Sequence, residues 1–279
     1  PTDVLHVLDP DYPTLLRDLA RPPEPLYIEG RLLPQDAAAV AIVGSRNPTP
    51  YGRFIAGKLA GELSGMGITI VSGMARGIDA AAHRSCLDGG GRTIAVLGCG
   101  LDVDYPKGNR RIRERIPRQG ALLSEFPAGT PPLPYHFPRR NRLISGIALG
   151  VVVVEAGTRS GSLITARWAL DQGREVMAVP GRIDCPLSAG PLSLLKDGAP
   201  PVANGADILE VLNIKALHCR PSTLPPDPPL TTELAAGPRH PAEIARTLGW
   251  PLPRVMAELT RMELTGAVRK DPGGTYSLS

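Results

Sequence analysis

The run Ala39-Val40-Ala41-Ile42-Val43-Gly44-Ser45-Arg46 decides the fold. Five consecutive apolar residues make a strand buried on both faces, and the Gly-Ser that halts them is a tight turn. A helical pattern follows from Tyr51 to Leu63. Outward from there the alternation repeats, with apolar runs at Ile68–Val71, Thr93–Leu97, Ala121–Leu123, Val151–Val154 and Glu175–Val179. Between them lie Gly77 to Leu87, Asn109 to Arg118 and Leu163 to Gln172, each long enough for a crossover helix. The expectation is an α/β protein built on a doubly wound, mostly parallel sheet.

In such sheets ligands bind beyond the carboxyl ends of the strands. The residues there are Gly44-Ser45-Arg46, Ser72-Gly73-Met74-Ala75, Gly98-Cys99-Gly100, Ser124-Glu125-Phe126, Glu155-Ala156-Gly157 and Pro180-Gly181-Arg182. Any one is ordinary turn chemistry. Together they are small enough to let a backbone approach an extended ligand and to offer N–H groups to anionic oxygens.

The 279 residues carry a net charge of +4 and are 42% hydrophobic, enough to bury a core. No apolar run reaches the roughly 18 residues of a membrane span, and the first residues resemble no secretory leader. Cys86, Cys99, Cys185 and Cys219 form no C-x-x-C pair, which excludes a zinc ribbon or thioredoxin motif and makes the cytoplasm the expected compartment. Charge is uneven: Asp104 to Arg142 holds nine basic and three acidic residues, a local +6 that leaves −2 elsewhere. Arg110 to Arg118 reads as a solvated helix face. Arg139-Arg140-Asn141-Arg142, where a turn after Pro138 feeds a helix, reads as a polyanion site.

Four regions are expected: a lead-in over 1–35, the sheet domain over 36–219, an extended proline-rich linker over 220–232, and a winged-helix-like domain over 233–279. The linker reads RPSTLPPDPPLTT. The last region orders helices at 240–246 and 252–265 before a hairpin, and its six basic and six acidic residues from Asp227 onward favour a protein-interaction role over DNA reading.

Several enzyme signatures fail. Gly52 to Leu59 has P-loop spacing, but Leu59 replaces the magnesium-binding hydroxyl and the glycines sit in a helical pattern. Val103 stands where a dinucleotide fold wants its third glycine, so no nicotinamide or other cofactor is expected. Asp79 and His83 form an i, i+4 pair that reads as a structural hydrogen bond before an acid–base couple. No nucleophile–base–orienter set emerges, and no metal site.

The strings Val43-Gly44-Ser45-Arg46 with Tyr51-Gly52, Ser72 to Asp79 with Ala82-His83, Ala95 to Gly100 with Tyr105-Pro106, Phe137-Pro138-Arg139-Arg140-Asn141-Arg142, Ser160 to Ala166 and Val179-Pro180-Gly181 together resemble the DNA-processing protein A (DprA/Smf) family over about residues 1 to 210. The resemblance implies an extended Rossmann-like domain that binds single-stranded DNA without sequence preference, forms homodimers and loads the RecA recombinase during natural transformation. Single-strand-binding protein is a further expected partner. Gly190-Pro191-Leu192 departs from the family's usual G-T-N, so any contact made by that Asn is in doubt, and of the family's N-terminal region only the Asp11–Gly30 lead-in, without the sterile-alpha-motif-like domain, is expected in these residues.

On this reading Arg46 is the central phosphate ligand, with donors from the backbone of Gly44 and Ser45 and contacts from the Gly73 turn; Lys107 adds charge at the rim. Arg139, Arg140, Asn141 and Arg142 supply charge and amide contacts, and Phe137 either stacks on a base or packs in the core. Ser160, Gly161, Ser162 and Thr165 hold another phosphate at a helix N-terminus. For Arg142 the alternative is an ion pair with Glu155. The competing functions are a phosphoribohydrolase-like nucleotide-cleaving enzyme, although Glu155 to Gly161 does not reproduce its P-G-G-x-G-T-x-x-E string, and a winged-helix regulator.

Overall fold

The computed structural model describes residues 2–214, 228–235, 237–264, 268–271 and 273–278. Contacts divide the chain into two units, Pro1–Cys219 and Arg220–Ser279.

In chain order the first unit contains β1 (Thr2–Leu5), α1 (Thr14–Arg17), β2 (Leu26–Gly30), β3 (Ala39–Val43), α2 (Pro50–Gly65), β4 (Thr69–Ser72), α3 (Ile78–Asp88), β5 (Thr93–Leu97), α4 (Arg110–Gln119), β6 (Gly120–Ser124), α5 (His136–Gly146), β7 (Gly150–Val153), α6 (Gly161–Asp171), β8 (Glu175–Ala178), α7 (Ala189–Lys196) and α8 (Gly205–Val211). All six expected strands form. Their order, β6-β5-β4-β3-β7-β8, is parallel throughout, and the lead-in adds β2 and β1 as antiparallel strands beside β6. The two added strands were not expected, because short edge strands such as Thr2–Leu5 alternate too weakly to stand out.

The chain runs outward from β3 through β4, β5 and β6, then returns to β7 and β8 on the other flank. The β3–β7 junction is therefore the topological switch point, where neighbouring crossovers diverge and leave a crevice at the strand ends. Both sheet faces are covered. Val43, Val96 and Val153 join Leu143, Ile144 and Ala166 of α5 and α6 in one layer, while Ile42, Ile70 and Val152 join Leu59, Leu63 and Ala82 of α2 and α3 in the other. This is why β3 and β7 are apolar without alternation. Gly52, Gly57 and Lys58 all lie within α2, which removes the P-loop geometry.

Helix α4 buries Ile112 and Ile116 and exposes Arg110, Arg111 and Arg118, with Arg110 paired to Glu114; Arg115, partly buried, pairs with Asp88, and Arg113 is partly buried with its Nε shielded from solvent. The basic run is a solvated helix face at Arg110, Arg111 and Arg118, as its spacing implied, and Arg113 departs from that reading.

The second unit comprises α9 (Pro228–Ala235), α10 (Pro241–Leu248), α11 (Leu252–Leu264) and the antiparallel pair β9 (Val268–Lys270) and β10 (Tyr276–Leu278). The linker expectation requires correction here. Residues 220–227 lie outside the described ones, and 228–232 open α9 instead of continuing an extended spacer. Pro228 and Pro229 occupy the first helical positions, where proline is tolerated, and Leu230 and Leu234 one turn apart join Ile244, Val255 and Leu259 in the core. His218 and Cys219 also fall outside the described residues.

Candidate nucleic-acid interface

A cavity of about 760 Å³ opens at the switch point. Its floor is the end of β3, Val43 to Arg46; one wall is α5, through Phe137, Arg140, Asn141 and Ile144, and the other is the Gly157–Ser162 turn with Thr165 of α6. A smaller recess lined by Gly73, Gly98 and Cys99 shares Arg46, Ala75, Tyr105, Phe137 and Arg140 with it, so the β4 and β5 ends continue the same cleft.

The turn after β3 is held from both sides. Ser45 N–H donates to Glu155 O at 2.7 Å, and its own carbonyl accepts from Ile78 N–H at 3.1 Å. Gly77, which precedes α3 at φ +87°, must be glycine: a Cβ there would lie 2.3 Å from Ser45 O. The Ser45 N–H is thus committed within the protein and is no phosphate donor, contrary to expectation. Arg46 projects from this rigid turn, exposed, with its guanidinium carbon 5.2 Å from the centre of the Phe137 ring.

Phe137 is half-buried. Tyr105 lies against it with ring centres 5.5 Å apart, and a Cβ on Gly98 would come within 2.9 Å of its ring. Gly98 therefore makes the room that seats the phenyl group at the cleft wall. Phe137 combines both readings, packed at its base and open toward the cleft.

Arg140 behaves differently from Arg46. It is only 4% exposed, and its guanidinium donates to Gly73 O at 2.7 Å and to Val96 O, tying α5 to the ends of β4 and β5. Burial lowers its pKa to about 10, against the opposing pull of the Asp79 carboxylate. Asp79 accepts from the N–H groups of Gly73 and Ala75 at 3.1 and 3.2 Å, and burial holds its carboxyl above the ordinary range although Arg140 and those N–H groups pull it down. His83 bonds to Thr93 through Nδ1 at 2.7 Å instead of to Asp79, and burial, with Arg140 second, pushes its pKa down to about 3. The Asp79–His83 pair expected from spacing is thus replaced by separate partners.

Arg139 and Arg142 leave the cleft. Helix α5 turns about 100° per residue, so 137, 140, 141 and 144 share one face and 139 and 142 the opposite one. Arg142 pairs with Glu125 at 2.6 Å, correcting the alternative partner Glu155, and Arg139 reaches the same carboxylate at 3.1 Å. Glu155 instead accepts from Thr49 N–H and Oγ1 at 2.8 and 2.5 Å, anchoring the start of α2. Lys107 is exposed beyond Tyr105 and lines neither cavity of the cleft.

Asn141 Nδ2 donates to Gly161 O at 3.1 Å, joining α5 to the first turn of α6, where Ser160 caps Ser162 N–H at 3.3 Å. Ser160, Gly161, Ser162 and Thr165 all line the cavity, and helix N-termini leave N–H groups free for anions. Sequence reasoning missed exposed Arg159, beside them in the β7 turn, and Tyr105 as a wall residue. Of the strand-end turns, those after β6 and β8 do not line the cleft; Glu125, with Arg139 and Arg142, lines a separate cavity bounded by Arg21 of the lead-in and by Trp168 and Arg174. Among the described residues no His, Cys, Asp and Glu cluster could hold a metal ion, and no helix is long and apolar enough to cross a membrane.

Fold and site together define an extended Rossmann-like protein with an arginine- and aromatic-lined cleft at its switch point, followed by a winged-helix unit. The family described as DNA recombination-mediator protein A matches residues 3–213, and the DprA winged helix domain matches 220–274. Protein Smf of Escherichia coli (strain K12) is 42% identical over 290 residues, spanning 98% of this chain and 77% of that protein. DNA processing protein DprA of Streptococcus pneumoniae is 45% identical over 203 residues, 73% of this chain and 72% of its own. The X-ray structure of DprA from Streptococcus pneumoniae superimposes with a TM-score of 0.72 at 44% identity, covering 75% of this chain and 73% of that one. DNA processing protein A from Helicobacter pylori, whose structure concerns a single-stranded DNA binding mode, gives 0.68 at 32% identity, covering 76% of this chain and 95% of that one. The chain belongs to the DNA-processing protein A (DprA/Smf) family.

Proposed function

We propose that this chain binds single-stranded DNA in the switch-point cleft without reading its sequence, and that it does so as a non-catalytic mediator. The observation that carries the reading is the juxtaposition of exposed Arg46 with half-open Phe137 on a rigid floor. A guanidinium bridges phosphate oxygens, and an aromatic face accepts any base, so the pair suits a strand with its bases splayed out. Arg159 and the first turn of α6 supply a second phosphate position across the cleft. The titratable groups beneath the cleft are consumed in packing: Asp79 holds backbone N–H groups and His83, fully buried, stays neutral, which supports binding over chemistry. The Helicobacter pylori relative's single-stranded DNA binding supports the same assignment.

Within the cell the proposed role is to cover incoming single strands as a homodimer and load the RecA recombinase on them during natural transformation. The test is competition. Labelled oligothymidine bound to the protein should be displaced by unlabelled single strands of any sequence and not by duplex, and pre-bound protein should shorten the lag of recombinase assembly on strands coated with single-strand-binding protein. Displacement by duplex at equal concentration would overturn the reading.

A further inference from the structure

Two aromatic side chains stand outside everything described so far. Tyr51 and Phe54, in the first turns of α2, are 50% and 68% exposed in a chain with only eleven aromatic residues. Three positions apart, they are neighbours on one helix surface, with Cβ atoms about 5–6 Å apart. Arg53, exposed between them, has no ion pair among the described residues.

Their placement relative to the cleft is fixed. Thr49 fastens the start of α2 to the Glu155 carboxylate, and Gly52 lies so close to that carboxylate that a Cβ would meet it at 2.2–2.7 Å. Glu155 leads directly into the Gly157–Ser162 wall. Tyr51 donates its hydroxyl to Pro180 O at 3.3 Å, beyond the end of β8. The aromatic pair therefore sits on the flank where the cleft opens past β7.

We propose that Tyr51 and Phe54 form a second base-stacking platform, with Arg53 as its phosphate contact, that takes up the single strand as it leaves the cleft. This rests on the proposed cleft function. Continuity with the cleft wall and chemistry identify the occupant: flat rings beside an exposed guanidinium match bases and phosphate, and sequence-tolerant strand tracking uses that combination.

The test compares oligothymidines of roughly 5 and roughly 15 nucleotides, the shorter filling the cleft and the longer reaching α2. The wild type should gain affinity with length, and Phe54→Ala should cut that gain by roughly 5- to 150-fold. Phe54→Trp should restore it and add tryptophan quenching by the longer strand, read against the wild type with its Trp168 and Trp250. A length gain unchanged by Phe54→Ala would overturn the platform while leaving the cleft intact. A change of oligomeric state in sedimentation with Phe54→Ala would overturn it in favour of contact between copies. No salt-sensitive binding of either strand by wild type would overturn the cleft and the platform together.

Discussion

Arg140→Met tests the claim that this arginine holds the cleft together instead of touching DNA. The guanidinium is 4% exposed and donates to the carbonyls of Gly73 and Val96, while Asp79, 6% exposed, stands nearby as its charge partner. Each hydrogen bond from a charged group is worth about 1.5–3 kcal/mol net, so losing two costs about 3–6 kcal/mol, close to the roughly 3–5 kcal/mol for removing one partner of a buried charge pair. Methionine fills much of the volume, so a cavity adds little. Against a total stability of about 5–15 kcal/mol the loss is large, and urea unfolding at neutral pH will register it as a shifted midpoint. The pH dependence carries the sign. Burial raises the folded pKa of Asp79 above the ordinary carboxylate range, so its contribution favours folding below that range and is lost as pH rises through the folded value. Removing Arg140 takes away a charge that pulls this pKa down, so it rises further and the destabilisation shrinks from neutral pH toward about pH 4 as the Asp79 carboxyl takes up its proton. Asp79→Asn keeps an acceptor for Gly73 and Ala75 N–H, and in the Arg140→Met background it should recover about half the loss. A loss under about 1 kcal/mol, equal at both pH values, would refute the reasoning.

Phe137→Ala should weaken oligothymidine binding by about 1–3 kcal/mol, and Phe137→Trp should retain most of it; fluorescence anisotropy measures both. Gly52→Ala should lower the thermal midpoint, because its Cβ would press within 2.2–2.7 Å of the Glu155 carboxylate, and overpacking of this kind costs about 1–3 kcal/mol. Incubation with nucleoside monophosphates should release no free base by chromatography; release that Arg46→Ala abolishes would move the assignment to a nucleotide hydrolase. Arg142→Ala should leave the cleft's affinity within about twofold and instead destabilise the fold, since it compensates Glu125, whose side chain is 3% exposed.

The sheet was legible because buried parallel strands are written as unbroken apolar runs: Ala39–Val43 and Gly150–Val153 announce themselves without alternation. Arg46, Ser160 and Gly161 were legible for a related reason, since strand ends at a switch point are where an α/β sheet binds ligands. The arginine cluster was not. Arg139 to Arg142 looks like one patch in the sequence, but helical rotation sends Arg140 and Asn141 to the cleft and Arg139 and Arg142 to the opposite cavity. Applying the 100° turn to the cluster would have split it in advance. Nothing in the sequence distinguishes Arg140 from Arg46 by exposure, because that depends on the Gly73 and Val96 carbonyls, 67 and 44 residues away, that α5 packs upon. Likewise Glu125 and Glu155 were exchanged as the partner of Arg142, a choice set by tertiary packing alone. The proline-rich run misled because proline favours the first turn of a helix as readily as an extended linker.

The central claim is that phosphates are held at the end of β3 by Arg46. Its direct measurement is the salt dependence of oligothymidine affinity for wild type and Arg46→Ala, from low to physiological salt. The account predicts a steep wild-type decline, near 0.7 log units of affinity per log unit of salt for each phosphate contact, and a slope shallower by about one contact in Arg46→Ala together with weaker binding. Equal slopes and equal affinities for the two proteins, or a flat wild-type response, would contradict it.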